Sequence, residues 1–248
     1  LELRMDGLSK VFGTMVSVLW ILTTIYGFEY MTHEGHEDRF FAFFTMTFGV
    51  VLGIAFSGNF LTMYLFYEFL TLVTLPLVMH AMDNKARHAG KMYILYMMFG
   101  AALAFIGFVF VYCYGTSIDF VPGGVLNPIL VAEHEKTLQL VFIAAFFGFG
   151  VKAAVFPLYR WLPKASVAPT PVTALLHAVA VVKSGIFAII RLTYYSFGTD
   201  FLVGTVAQNV MLVAAAITIV FGSTVALRTP HIKRRFAYST VSNLSYIC

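Results

Sequence analysis

Four ionisable side chains stand inside stretches that are otherwise apolar. Glu68 lies near the middle of FLTMYLFYEFLTLVTLPLV, Lys152 sits in LQLVFIAAFFGFGVKAAVFPLYRWLP, and His177 and Lys183 share TALLHAVAVVKSGIFAIIR. A charge at a bilayer centre costs about 2.5 to 3.5 kcal/mol even on lenient insertion scales, so each such group needs a partner or a task. Proton transfer is a task this set could perform. Desolvation raises the proton affinity of a carboxylate and lowers that of an amine, by up to about 3 to 5 pKa units, and an opposing charge pushes each back. A buried amine facing a carboxylate that can approach or withdraw therefore has a switchable proton affinity, whereas groups at ordinary pKa values would not exchange protons near neutrality. Simpler readings stay open: Glu68 and Lys152 as a static ion pair that fixes helix packing, and His177 as a hydrogen-bonding residue between helices. Lys183 lies too deep in its run for its stem to reach water, which favours an internal role. Lys91, only a turn or so inside its helix, is either a snorkelling edge cation or a second partner for Glu68. Arg191, toward the end of the last of these stretches, reads as an interface anchor.

Membrane-crossing helices must position these groups. Of 248 residues, 60% are hydrophobic and only 11% charged, and the mean hydropathy is +0.84; an ordinary soluble domain is about 25% charged. Uncharged runs span Phe40 to Tyr67, Met92 to Ile118 and Phe201 to Leu227, each longer than the roughly 20 residues that cross a hydrocarbon core. They lack the alternation of a barrel strand. The fold expected is an all-α polytopic membrane bundle of eight helices, near 8–31, 39–57, 60–81, 89–115, 137–159, 171–197, 202–227 and an incomplete one from 232. Pro157, together with Gly148 and Gly150, predicts a break in the fifth helix near Lys152, a device tolerated where it lines a buried or watery cavity. Thr170 and Pro171 form a good start for the sixth helix. On that helix His177 and Lys183 would stand about 9 Å apart along the axis and about 120° apart around it, to be linked by water or by a kink at Gly185. Alternate connectors fall on opposite faces. One face collects Arg39, Lys85, Arg87, Lys91, Arg160, Lys164, Arg228, Lys233, Arg234 and Arg235, and the other Arg4, Lys10, Lys136 and Arg191; the ten-against-four bias places the first face in the cytoplasm.

Several function classes drop out. Cys113 and Cys248 stand far apart with no CxxC, so neither a disulfide framework nor a zinc or iron-sulfur site is written here. His33 and His36, in HEGHED, read as a solvated connector rather than a metal site, and no cofactor or metal is expected. The net charge of +4 resides in short connectors and does not indicate nucleic-acid binding. The chain begins at Leu1 without a cleavable signal pattern. Its last apolar stretch, RFAYSTVSNLSYIC, gives only about 20 Å of helix, so the sequence reads as a fragment, 1–248 forming a single transmembrane domain that lacks helices at both ends.

Three segments together carry a resemblance: NFLTMYLFYEFLTLVTLPL, VKAAVFPLYRWLPKASVAPTPVTALLHAVAVVKSGIFAIIR and HIKRRFAYSTVSNLSYI. The pattern resembles the antiporter-like membrane subunits shared by respiratory complex I, Mrp-type cation/proton antiporters and energy-converting membrane-bound hydrogenases. The resemblance runs from about residue 4 to the end, with WLP followed by APTPVTALLHA its most specific part. It implies a fold of about fourteen helices containing two inverted five-helix repeats, each with a broken helix. By the same resemblance Glu68 is the fifth-helix carboxylate, Lys152 the broken-helix lysine it pairs with, Lys91 a lysine sharing that glutamate, His177 a bridging histidine and Lys183 the central relay lysine. The exit-side residue of the family lies beyond Cys248. The function implied is translocation of protons or Na+ by a multi-pass subunit of the cell inner membrane, working with other membrane subunits in a redox-driven or Mrp-type complex whose redox centre lies elsewhere. Two alternatives belong to other classes: a scaffold whose buried charges lock helices and anchor partners, and a haem- or quinone-binding membrane enzyme using His80 and His177.

Overall fold

The computed structural model describes residues 1–175 and 179–248. Among them six helices are long and apolar enough to cross a membrane: α1 (Gly7–Met31), α2 (Glu37–Ala55), α3 (Phe60–Val78), α4 (Asn84–Tyr114), α5 (Pro128–Ala153) and α10 (Val206–Arg228). Between the last two lie the short helices α6 (Trp161–Ala165) and α7 (Thr170–Ala174), then α8 (Val181–Ile190), a π-helical stretch Arg191–Phe197 and α9 (Thr199–Leu202). The chain closes with α11 (Ile232–Leu244). The all-α membrane bundle expected from composition is the fold observed.

Helix starts follow local chemistry. Asp6, Asn59, Asp83, Asn127 and Thr205 precede α1, α3, α4, α5 and α10, and each side chain accepts a hydrogen bond from a backbone amide of the first turn, meeting donors that a helix cannot satisfy internally. The turn at Ser57, Gly58 and Asn59 separates α2 from α3 as its composition suggests. α5 begins earlier than expected, at Pro128, yet its first turns are set off by non-helical backbone at His134 (φ −126°, ψ 23°).

Small residues let α4 and α5 lie together. A Cβ on Gly148 would fall 2.5 Å from the Ala104 amide nitrogen, and one on Gly107 would fall 2.5 Å from the Ala145 Cβ. In a membrane, where lipid is as apolar as the helix surface, such close backbone approach is what holds helices together. Gly148, expected to loosen α5, instead docks it.

Two ends of the bundle can be told apart by their contacts. At one, Asp6, the Ser57–Asn59 turn, Phe120 and Arg191 gather, tied by isolated bridges between Leu3 and Ser57 and between Asn59 and Asp119. At the other, the His80 ring bonds to the Gly35 carbonyl at 3.1 Å, Arg39 donates to the His80 carbonyl at 2.5 Å, and Thr170 donates to the Tyr30 hydroxyl at 3.1 Å. The basic connectors counted above converge on this second end.

Candidate functional site

α5 stops inside the bundle. Ala154 takes left-handed backbone angles (φ 59°, ψ 36°), rare for a residue with a side chain, and no helix resumes until Trp161. The break therefore precedes Pro157, close to where the sequence puts it. Its freed backbone groups are all but claimed by neighbours. The Trp161 indole donates to the Val151 carbonyl at 2.7 Å, the Val155 amide donates to the Gly150 carbonyl at 2.9 Å, and the Phe156 amide donates to the Thr218 hydroxyl of α10 at 3.0 Å. Irregular backbone at this depth is tolerated because protein, not lipid, surrounds it.

Lys152 occupies the last turn of α5 and is 1% exposed. The partial negative charge of a helix C-terminus favours a cation there. Its Nζ donates to the Tyr67 backbone carbonyl and lies 3.3 Å from the centroid of the Tyr67 ring, while the Tyr67 hydroxyl donates back to the Phe149 carbonyl at 3.3 Å. Glu68 is the next residue on α3. It is half-buried, and its Oε1 is a buried atom with no partner among the described residues. No described carboxylate comes within 4.0 Å of Lys152, so the Glu68–Lys152 pair is adjacent along the helices without being closed. Thr71, one turn after Glu68, also carries a buried unpartnered hydroxyl.

Lys183 lies on α8, half-buried, beside Ser184, whose buried hydroxyl is unpartnered. The sixth helix expected as one continuous rod over 171–197 is instead interrupted at Ala180, which is non-helical (φ −92°, ψ −80°) just before α8. His177 lies outside the described residues. Gly185 does not kink α8, which runs unbroken through it. A Cβ there would fall 2.4 Å from the Ala153 nitrogen and 2.9 Å from the Lys152 carbonyl carbon. The glycine is thus what brings the Lys183 helix directly onto the end of the Lys152 helix. Lys91 is exposed on α4 and has no described carboxylate within 4.0 Å, which is the placement of an edge cation.

Arg191 departs most from expectation. Rather than anchoring at a lipid interface it is 1% exposed, its guanidinium bonded to Asp6 at 2.5 Å and Ser9 at 3.0 Å. Rings of Tyr195, Phe120 and Phe187 surround it at 4.5, 4.8 and 5.1 Å, an arrangement that suits a planar, weakly hydrated cation. Burial pushes the Asp6 carboxyl up, but the Arg191 bond, the Ser9 amide and hydroxyl and the Arg191 charge outweigh it and hold the group below its ordinary value. Trp161, Thr218, Tyr67 and Gly185 were not singled out for these contacts by the sequence. Trp161, inside the WLP motif, and Gly185, read as a possible kink, carried a local signal, but not for these contacts.

Among the described residues no three His, Cys, Asp or Glu side chains gather as a metal site. His80, bonded to Gly35 and edge-on to Phe40 with ring centroids 6.0 Å apart, fastens two connectors together.

Comparison with known proteins agrees with this architecture. Three solved structures share the fold: an archaeal membrane-bound sulfane sulfur reductase (TM-score 0.81, 23% identity, 98% of this chain and 49% of that one), respiratory complex I from Thermus thermophilus (0.77, 21%, 98% and 50%) and the Mrp complex from Dietzia (0.75, 19%, 95% and 43%). A Staphylococcus epidermidis chain named as antiporter subunit mnhA2 is 30% identical over 249 residues, and its Staphylococcus aureus counterpart 32% identical over 253. The chain spans about 30% of the length of these curated relatives. Residues 57–248 match the family described as "NADH:quinone oxidoreductase/Mrp antiporter, TM". That match takes in well over half of the sequence, and the chain belongs to this family of antiporter-like membrane subunits.

Proposed function

We propose that the chain translocates protons, or Na+, as a membrane subunit of a redox-driven or Mrp-type complex in the cell inner membrane, and that its ion path runs through Glu68, Lys152, His177 and Lys183. In this reading Glu68 sets the charge state of Lys152, and the proton passes by way of His177 and water to Lys183, while Lys91 supplies a second cation toward the edge of the path. Redox chemistry, where the complex has any, belongs to partner subunits. Two of the solved structures that share this fold are an Mrp complex and respiratory complex I, so the setting that fits this chain is beside other membrane subunits.

One observation carries the reading: Lys152 is wholly buried at the end of a helix that stops inside the bundle, with Glu68 on the facing helix left unclosed and carrying an unpartnered oxygen. A structural ion pair at this depth needs close geometry to offset its desolvation, and here the nearest anchor of the lysine is a carbonyl and a ring. In this reading the two groups close and reopen as the proton passes. The buried hydroxyls of Thr71, one turn after Glu68, and of Ser184, next to Lys183 in the chain, are unpartnered among the described residues and are the kind of group that ordered water meets. Gly185 supports the same reading by pressing α8 onto the Lys152 turn.

The competing scaffold role makes a different forecast. Full complex reconstituted in vesicles with Glu68→Gln or Lys152→Ala should assemble yet pump more slowly by about a hundredfold or more, the scale of one lost proton-transfer group. Intact assembly with unchanged pumping in both variants would sink the transport assignment and leave the scaffold.

A further inference from the structure

The second half of the chain is rich in bases and poor in acids. After Glu135 the sequence holds a single carboxylate, Asp200, which lies in α9 immediately after the π-helical stretch, on the Asp6 side of the bundle. Arg160, Lys164 and Arg234 gather at the opposite, His80 end, and no described carboxylate comes within 4.0 Å of any of them.

These three cations line one cavity. It measures about 400 Å³ and is completed by Tyr159, Pro163 and Tyr238. Its walls are fixed by packing: the Tyr159 ring lies 4.8 Å from Phe221 of α10 and 6.1 Å from Tyr238 of α11. α10 and α11 are themselves drawn together at Gly222, where a Cβ would stand 3.0 Å from the Ser242 nitrogen, and by a 2.8 Å bond between Ser223 and Ser242. Arg160 and Lys164 come from the segment just after the helix break, and Arg234 comes from the first turn of α11.

We infer that this cavity binds the phosphate group of an anionic phospholipid. Two guanidinium groups and an ammonium without counter-charges match the several oxygens of a phosphate, which guanidinium forks engage two at a time. The position fits a lipid, because the cavity opens where membrane-crossing helices end, among tyrosines of the sort that settle at headgroup depth. Free phosphate offers the same oxygens but none of that placement. Bound there, the headgroup bridges the segment after the break to the α10–α11 pair and holds the end of α5 in place.

The test uses the full-length chain in its complex, exchanged into phosphatidylcholine vesicles with or without phosphatidylglycerol and then assayed for co-purifying lipid by mass spectrometry. The triple variant R160Q/K164Q/R234Q should retain phosphatidylglycerol more weakly, by about fivefold for each cation removed. A charge-matched control, K85Q/R87Q/R228Q, alters exposed cations of the same end and should retain it as the parent does. Where the triple variant fails to assemble, R234Q alone should show the single fivefold loss. Equal retention in the cavity variants, equal loss in the control, or displacement of the lipid by millimolar inorganic phosphate would overturn the assignment, the last by showing that the cavity takes a soluble anion.

Discussion

Substituting Gly185 by alanine separates two accounts of that residue by the sign of the effect. If the glycine served to bend α8, alanine would improve the helix by about 1 kcal/mol, the ordinary propensity difference. The geometry demands the reverse. The new Cβ would fall 2.4 Å from the Ala153 nitrogen, whereas ordinary contact begins at 3.4 Å, so the two helices must separate by about 1.0 Å (3.4 minus 2.4). Backbone cannot rotate aside as a side chain does, which places the cost toward the upper end of the roughly 1 to 3 kcal/mol typical of overpacking. After the propensity gain is subtracted, a net loss of about 2 kcal/mol remains. The same displacement moves Lys183 away from the Lys152 turn, and transport should fall with it. Thermal unfolding of the reconstituted complex and ion flux from the same preparation read both effects. Gly49→Ala is the control, because nothing lies within 4 Å of a Cβ at that position of α2; it should be neutral or slightly stabilising. A Gly185→Ala complex as stable and as active as the parent would refute the close-approach account.

Two further outcomes follow from the contacts at the break and at Arg191. Trp161→Phe keeps most of the buried ring but removes the indole bond to the Val151 carbonyl, which then keeps only the 3.1 Å bond from the Ala154 amide, a loss of about 0.5 to 1.5 kcal/mol to be measured by thermal unfolding, with transport declining as the end of α5 loosens. Asp6→Asn removes the charge opposite Arg191 and should destabilise by about 1.5 to 3 kcal/mol at neutral pH. Because the folded Asp6 carboxyl titrates below its ordinary 3.8, its contribution is complete above that value and is lost as pH falls through the lower folded one. The stability difference between parent and Asp6→Asn should therefore be flat from neutral pH down to about 5 and close progressively in stronger acid, as pH-dependent unfolding would show.

What the sequence disclosed and what it hid divide along the range of the interaction. Helix type and the break near Lys152 are local properties, written in long uncharged runs and in a proline following two glycines, whereas the eight spans expected become six helices of spanning length among the described residues. The depth of Glu68, Lys152 and Lys183 is also visible, since it is a position within a run. Gly185 was misassigned because a glycine inside a helix signals either a bend or a close neighbour, and only the neighbour, thirty-odd positions earlier in the chain, decides. The continuous sixth helix failed for a related reason: nothing local in VTALLHAVAVV opposes a helix, so the non-helical backbone at Ala180 leaves no sign in the sequence. Arg191 looked like an interface anchor because its place near a span end is all that a linear reading reveals. Its carboxylate partner sits in DGLS at the far start of the chain, where an aspartate before a helix already has a sufficient local explanation as a cap.

The Asp6–Arg191 contact joins residues 185 positions apart, which has a bearing on the order of assembly. At about 5 to 20 residues per second of synthesis, roughly 10 to 40 s pass between the appearance of the aspartate and that of the arginine. Throughout that interval α1 to α5 can settle, but the guanidinium that ties the start of α1 to the end of α8 has yet to be made. The carboxylate, already turned inward as the cap of α1, is waiting when it arrives. A cation that would be costly to bury alone thus meets its partner on first insertion, and the bundle is fastened at one end only after the broken helix and the Lys183 helix are both in hand.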